Sequence, residues 1–225
     1  MKKPFSSNTF FSLPLQWFYL TTIMDNQFIY SKGAIEFVTV AAETCLFLEK
    51  SGELSKEEFV IKSIKILPLL YLKSTIIDKG DLEPEDETER FVTEEDYLYV
   101  KRQIELMLGL DDVFLETFHP DMPYSDTPIA SFISENLADV YQELKDLTAN
   151  YQLEDVAIME NALYACLQTF EEHWGQKLLN ALRALHAIRF KETFGLVEED
   201  EKFNNDNYRK LDKESFFRFQ TDDNE

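Results

Sequence analysis

The stretch Thr127–Tyr151, TPIASFISENLADVYQELKDLTANY, decides the fold. Ile129, Phe132, Ile133, Leu137, Val140, Leu144, Leu147 and Tyr151 recur at intervals of three and four, the spacing that stacks side chains on one face of an α-helix. Glu135, Asp139, Glu143 and Asp146 line one flank of that stripe. Thr127 followed by Pro128 supplies a cap and a first-turn residue, so the spacing predicts a helix from Thr127 to Tyr151.

The segments on either side repeat the pattern. Toward the C-terminus, Val156, Met159, Leu163, Cys166 and Phe170 predict a helix from about Glu154, ending in His173-Trp174-Gly175. Leu178, Leu182, Leu185 and His186 mark a sixth. Toward the N-terminus, Thr93 and Asp96 cap a helix carrying Tyr97, Val100, Ile104, Met107 and Leu108. Ser55 and Glu58 form the Ser-x-x-Glu box of another, through Phe59, Ile64, Leu67, Leu70 and Tyr71; Pro68 inside it predicts a kink near Ile64 to Pro68. The first helix is expected from Ser31 to Lys50, with Ile35, Val38, Ala42 and Cys45 as its stripe. Gly52, Gly80, Gly109, Gly175 and Gly195 each follow a helical run and read as left-handed ends. Asp78 to Asp96 reads as an exposed acidic loop, and Asp111 to Asp126 as a long connection tethered by Val113, Phe114, Leu115 and Phe118. No run alternates with period two, so no strand is expected. The result is an all-α, single-domain bundle of about six main helices over residues 24–194. Residues 1–23 form a loosely attached extension, with Met24 as an alternative start, and residues 195–225 an acidic, mostly disordered tail.

Composition narrows the function classes. The chain is 44% hydrophobic and 14% aromatic, too apolar for a disordered acidic protein. Its formal net charge of −21 opposes direct binding of nucleic acid phosphates and favours a basic protein partner. Cys45 and Cys166 sit in apolar helical runs without Cys-x-x-Cys spacing, which implies neither a disulfide framework nor structural zinc. The apolar stretch before Ile23 is broken by Pro14 and Gln16 and has no signal cleavage pattern. Nor does any window reach the roughly 18 apolar residues of a membrane span, so a cytoplasmic chain without membrane contact is expected.

Several stretches carry a family resemblance. Ile133-Ser134-Glu135-Asn136-Leu137-Ala138-Asp139-Val140-Tyr141-Gln142-Glu143-Leu144, Phe170-Glu171-Glu172-His173-Trp174-Gly175 and Asn180-Ala181-Leu182-Arg183-Ala184-Leu185-His186 resemble the helical bacterial family DUF5063. Ile29-Tyr30-Ser31 and Leu67-Pro68-Leu69-Leu70-Tyr71 are similar to it as well, for a coverage from Phe28 to Ile188. The resemblance implies an all-helical fold and brings no reaction or cofactor. It marks Asp139, Tyr141, His173, Trp174, Gly175 and His186 as positions of interest.

Two functions follow from these residues. The first is a non-enzymatic interaction or regulatory module, docking a basic protein on the open acidic row Glu135, Asp139, Glu143 and Asp146 unless Arg183 and Arg189 neutralise that row internally. The second is an enzyme, or a small-ligand or metal-binding protein, using a polar cluster of Asn136, Asp139, Tyr141, His173, Trp174 and His186. The histidines cannot share one ion. Thirteen residues of straight helix separate them by roughly 20 Å, and a reversal at Gly175 still offsets them by on the order of 13 Å. A Glu-x-x-His motif repeated on two helices, a Gly-rich phosphate loop and a Gly-x-Ser-x-Gly elbow are all missing, so no catalytic residue, metal or cofactor is implied and the first function is preferred.

Overall fold

Local hydrogen bonds start three helices where the sequence expects them. In the computed structural model, which describes residues 28–77, 88–116, 129–192 and 194–195, Ser31 Oγ accepts from the Ala34 amide at 3.2 Å and opens α1 (Lys32–Glu49). Ser55 with Glu58 closes a capping box before α2 (Lys56–Ile76), and Thr93 with Asp96 closes one before α3 (Glu94–Leu108). The bonds from Ser55 and Thr93 hold the Glu58 and Asp96 carboxyls below the ordinary range. α2 stays helical through Pro68.

After α3 the chain departs from the all-helical expectation. Gly109, with a φ of 58°, starts a 3₁₀ turn (Gly109–Asp112) that leads into β1 (Val113–Leu115). β1 pairs antiparallel with β2 (Ala130–Phe132), Val113 opposite Phe132 and Leu115 opposite Ala130. Three residues per strand are too few to show alternation in the sequence. Val113 and Leu115 are exposed rather than tethering; Phe118, Thr127 and Pro128 lie outside the described residues.

The ladder explains where the next helix begins. α4 (Ile133–Tyr151) starts six residues later than Thr127, behind Phe132, which has no capping side chain. Asp112 caps the helix from a distance: its buried carboxylate accepts from the Ser134 amide at 2.8 Å and from Ser134 Oγ at 2.7 Å. Burial pushes the Asp112 carboxyl above its usual range although these bonds favour the ionised form.

α5 (Val156–Thr169) is capped by Asp155 and runs through one π-helical turn (Phe170–Trp174) into α6 (Gly175–Arg189). The expected fifth and sixth helices are therefore one rod, and the described residues hold five continuous helices. Gly175 corrects its reading as a left-handed end. It is helical, with φ −61°, and a Cβ there would lie 2.5 Å from the Phe170 carbonyl oxygen and 3.0 Å from the Phe170 ring. The glycine leaves room for that carbonyl. Gly52 also lacks a positive φ, and Gly80 lies outside the described residues.

α4 is the central helix and packs against α1, α3, α5 and α6. Ile133, Leu137, Val140, Leu144 and Leu147 are buried as its periodicity requires. On α1 the expected stripe is displaced: Ala34, Phe37, Ala41, Thr44, Cys45 and Leu48 are buried, and Ile35 is 49% exposed. Trp174 is fully buried, donating from Nε1 to the Cys166 carbonyl at 2.8 Å with its ring edge-on to Phe170. No described helix is long and apolar enough to cross a membrane. A second unit begins at Thr193, and Phe194 and Gly195 are its described residues.

Candidate functional site

The acidic row of α4 is used inside the bundle. Lys101 of α3 reaches Glu135 at 2.7 Å. Asp139 accepts from the Tyr97 hydroxyl at 2.8 Å and pairs with Lys177 of α6 at 3.3 Å. Arg90 bridges Glu143 at 2.9 Å and Asp146 at 3.2 Å, while Thr169 Oγ1 donates to the other oxygen of Glu143. Lys101, Lys177 and Arg90 thus meet the row from other parts of the bundle. The row does not stay open: each carboxylate is committed, and the Asp146 side chain is only 9% exposed.

The polar cluster is also dispersed. Asn136 donates to Ser131 Oγ and to the Phe132 carbonyl, fastening the first turn of α4 to β2. His173 is exposed on the π-helical turn, and Asp139, its expected partner, is occupied by Tyr97 and Lys177. His186 is exposed too, its ring 4.6 Å from Phe190. The two histidines lie on one rod, so they stand roughly 20 Å apart. Among the described residues no three His, Cys, Asp or Glu side chains are grouped to hold a metal ion.

Of these residues, Tyr141 lines a cleft among the described residues. α4 presents Tyr141 and Lys145 one turn apart, and the last residue of α1, Glu49, lies against both. Tyr141 donates its hydroxyl to Glu49 Oε1 at 3.0 Å, and Lys145 donates to the same oxygen at 2.7 Å. The Glu49 bond raises Lys145 above the ordinary lysine range, and burial followed by the Glu49 bond raises Tyr141. The opposite wall is the lead-in to α3, Phe91 and Val92, followed by Asp96 and Tyr99 on the helix itself.

Asp146 builds that wall. Its Oδ1 accepts from the Phe91 amide at 2.7 Å and the Val92 amide at 2.9 Å, and Asn150 Nδ2 donates to the Glu89 carbonyl just before them. The buried flank of α4 thereby holds the segment 89–92 in place. Behind it, Asn150, Arg90, Glu143 and Asp146 line a separate chamber of about 20 Å³, enough for one water molecule.

The cleft itself measures about 350 Å³, at the lower end of the range for small-ligand sites. It contains two carboxylates with spare capacity. Among the described residues, both bonds to Glu49 fall on Oε1, and both bonds to Asp96 from Thr93 fall on Oδ2. Glu49 Oε2 and Asp96 Oδ1 keep their lone pairs. Two aromatic side chains open to solvent, Phe91 at 37% and Tyr99 at 54%, complete the lining. Carboxylates beside exposed aromatic side chains suit a cation, and neither a nucleophile with its base nor a metal-ligand set is present among these residues.

Glu49, Phe91, Asp96 as a site residue, Tyr99 and Lys145 do not stand out as a site in the sequence, because they come from three separated segments. One local signal existed: Tyr141 and Lys145 at i and i+4 on α4, along the edge of the apolar stripe.

A predominantly helical domain whose conspicuous acidic row is structural, and whose cleft sits between the ends of α1 and α3, is the class these features define. Within that class, residues 28–191 match the family described as Domain of unknown function (DUF5063), and the chain belongs to that family. No curated protein matches the sequence. Among solved structures, the chain is similar to the crystal structure of protein BF1032 from Bacteroides fragilis at 39% identity and a TM-score of 0.66, a match that covers 73% of this chain and 97% of that one.

Proposed function

We propose that this protein is a non-enzymatic interaction module that docks a basic protein partner, and that the partner enters at the cleft between α1, α3 and α4. The supporting observation is the convergence there of two carboxylates with unengaged oxygens and two solvent-facing aromatic rings. The chain's net charge of −21 draws a basic partner toward the surface and sets a salt-sensitive association rate. The acidic row of α4, fully paired inside the bundle, supports the cleft from behind and does not meet the partner. A cytoplasmic location belongs to the same reading, favoured by the two buried, unpaired cysteines.

Titration of isotope-labelled protein with a short arginine-containing peptide, followed by amide chemical shifts, tests the proposal. The expected shifts are confined to Glu49, Phe91 to Asp96, Tyr99, Tyr141 and Lys145, and they shrink with added salt. The double variant Glu49→Gln, Asp96→Asn removes only two of the protein's negative charges yet should lose the localised response. Shifts scattered over the acidic surface, or unchanged in the double variant, refute docking at the cleft.

A further inference from the structure

We infer that the cleft receives a single arginine side chain, and that Lys145 is a resident competitor which the incoming guanidinium displaces from Glu49. The inference rests on the cleft being the docking site and names the chemistry of what enters it.

Lys145 is itself a bound cation. Its ammonium sits 2.7 Å from Glu49 Oε1, with Tyr141 donating to the same atom. Its side chain is 39% exposed, so it can swing into water when another cation takes the carboxylate. The attraction of this corner of the cleft for positive charge is therefore already exercised by the chain's own side chain. A free ammonium replacing Lys145 would gain little, since it exchanges one such contact for another.

A guanidinium gains more, for two reasons. Its planar fork carries five donors and can engage two acceptors at once, whereas Lys145 uses one oxygen. Glu49 Oε2 and Asp96 Oδ1 supply the further acceptors. The delocalised cation also stacks on aromatic faces and sheds water at lower cost than an ammonium, which suits Phe91 and Tyr99. A cleft of about 350 Å³ accommodates one such side chain once the lysine head has swung into water. Anions are disfavoured: the lining carries two carboxylates against one ammonium, and Glu94 and Glu95 add further charge in the first turn of α3.

The test uses the full chain and two probes, N-acetyl-arginine amide and N-acetyl-lysine amide, in chemical-shift titrations of wild type and Lys145→Met. Removing an exposed competing ion pair should tighten the arginine probe by roughly two- to fivefold. Wild type should prefer the arginine probe over the lysine probe, and Lys145→Met should narrow that preference by freeing an acceptor for an ammonium. Lys145→Gln keeps the side chain polar and should behave like Lys145→Met, which guards against a packing artefact of the methionine. If wild type binds the arginine probe at the cleft but Lys145→Met binds it equally or more weakly, the competitor role is wrong while docking at the cleft survives. If neither probe shifts cleft resonances, docking itself fails. If inorganic phosphate shifts the cleft and Lys145→Met abolishes that response, Lys145 is an anion ligand and the inference is overturned.

Discussion

Replacing Gly175 by alanine tests the π-helical turn with a sign opposite to the ordinary rule. In an unremarkable helix interior the exchange stabilises by about 1 kcal/mol, because alanine loses less backbone freedom on folding. Gly175 is helical and buried, so propensity alone forecasts a more stable protein. The geometry forecasts the reverse. The new Cβ would lie 2.5 Å from the Phe170 carbonyl oxygen, to which the Gly175 amide donates its bond across the π turn, and 3.0 to 3.1 Å from two ring carbons of Phe170. The carbonyl is backbone and cannot rotate away. The ring is wedged between Tyr71, at a centroid distance of 5.2 Å, and Trp174, at 4.7 Å. Overpacking costs about 1–3 kcal/mol, and a backbone oxygen at 2.5 Å places this site in the upper part of that range, at about 2–3 kcal/mol, so a net loss of about 1–2 kcal/mol remains after the propensity gain. For a domain of this size that lowers Tm by roughly 2–8 °C. Thermal and urea unfolding by far-UV circular dichroism measures the loss, and the near-UV spectrum of the Trp174 environment reports whether the turn has rewound. An unchanged or raised Tm with an unaltered near-UV spectrum refutes the steric reasoning.

Further outcomes follow from the same geometry. Asp112→Ala should cost about 2–4 kcal/mol in urea unfolding, since it removes the remote cap of α4 and leaves the buried Ser134 amide unpaired. Asp112→Asn keeps an acceptor and should cost much less. Because burial raises the folded-state pKa of Asp112, stability tied to its protonated form is complete below the ordinary aspartate value and is lost as pH rises through the folded one. Wild type should therefore lose ground against Asp112→Asn as pH is raised through the acid range in paired melts. Glu143→Lys should destabilise by more than about 1 kcal/mol, because it sets a cation against Arg90 and removes one of the two acceptors of the Thr169 hydroxyl. His173→Ala, at an exposed position, should fall within about 0.5 kcal/mol of wild type; equal losses in these two variants would contradict the reading of the row as structural. Burial pushes Cys45 up to about 12 and holds Cys166 well above the ordinary thiol range, so a thiol reagent at pH 8 should modify neither until denaturant is added.

The features legible in the sequence are those whose cause is local. Ser55 with Glu58 and Thr93 with Asp96 act over three residues, and both boxes close as their spacing requires. The stripe of α4 was legible because charged residues mark its flank, so only one face can be buried. α1 has few such markers. Apolar residues lie on nearly every side of it, and the burial of Phe37 and Leu48 in preference to Ile35 is decided by which neighbours pack there, not by periodicity. Gly175 shows a different ambiguity: a glycine after a helical run permits either a left-handed end or a close approach, and only the position of the Phe170 carbonyl distinguishes them. Thr127-Pro128 drew the start of α4 too early because the cap comes from Asp112, twenty-two residues before Ser134 in the chain.

Charge was the hardest signal to read correctly, and the reason is physical. Four acids on one helix flank look like a docking surface when the cations that meet them lie on other helices. Lys101, Arg90 and Lys177 occupy α3, the segment before it and α6, so no short-range pattern links them to Glu135, Asp139, Glu143 or Asp146. Burial then separates the two kinds of acid. Asp146, nearly enclosed, needs its partners to be tolerated at all and in return fixes the backbone of Phe91 and Val92. Glu49 and Asp96, at the ends of helices beside that wall, retain unengaged oxygens because the cleft leaves them reachable by solvent. The conspicuous row is thus the frame, and the inconspicuous pair it supports is where a cation from outside can bind.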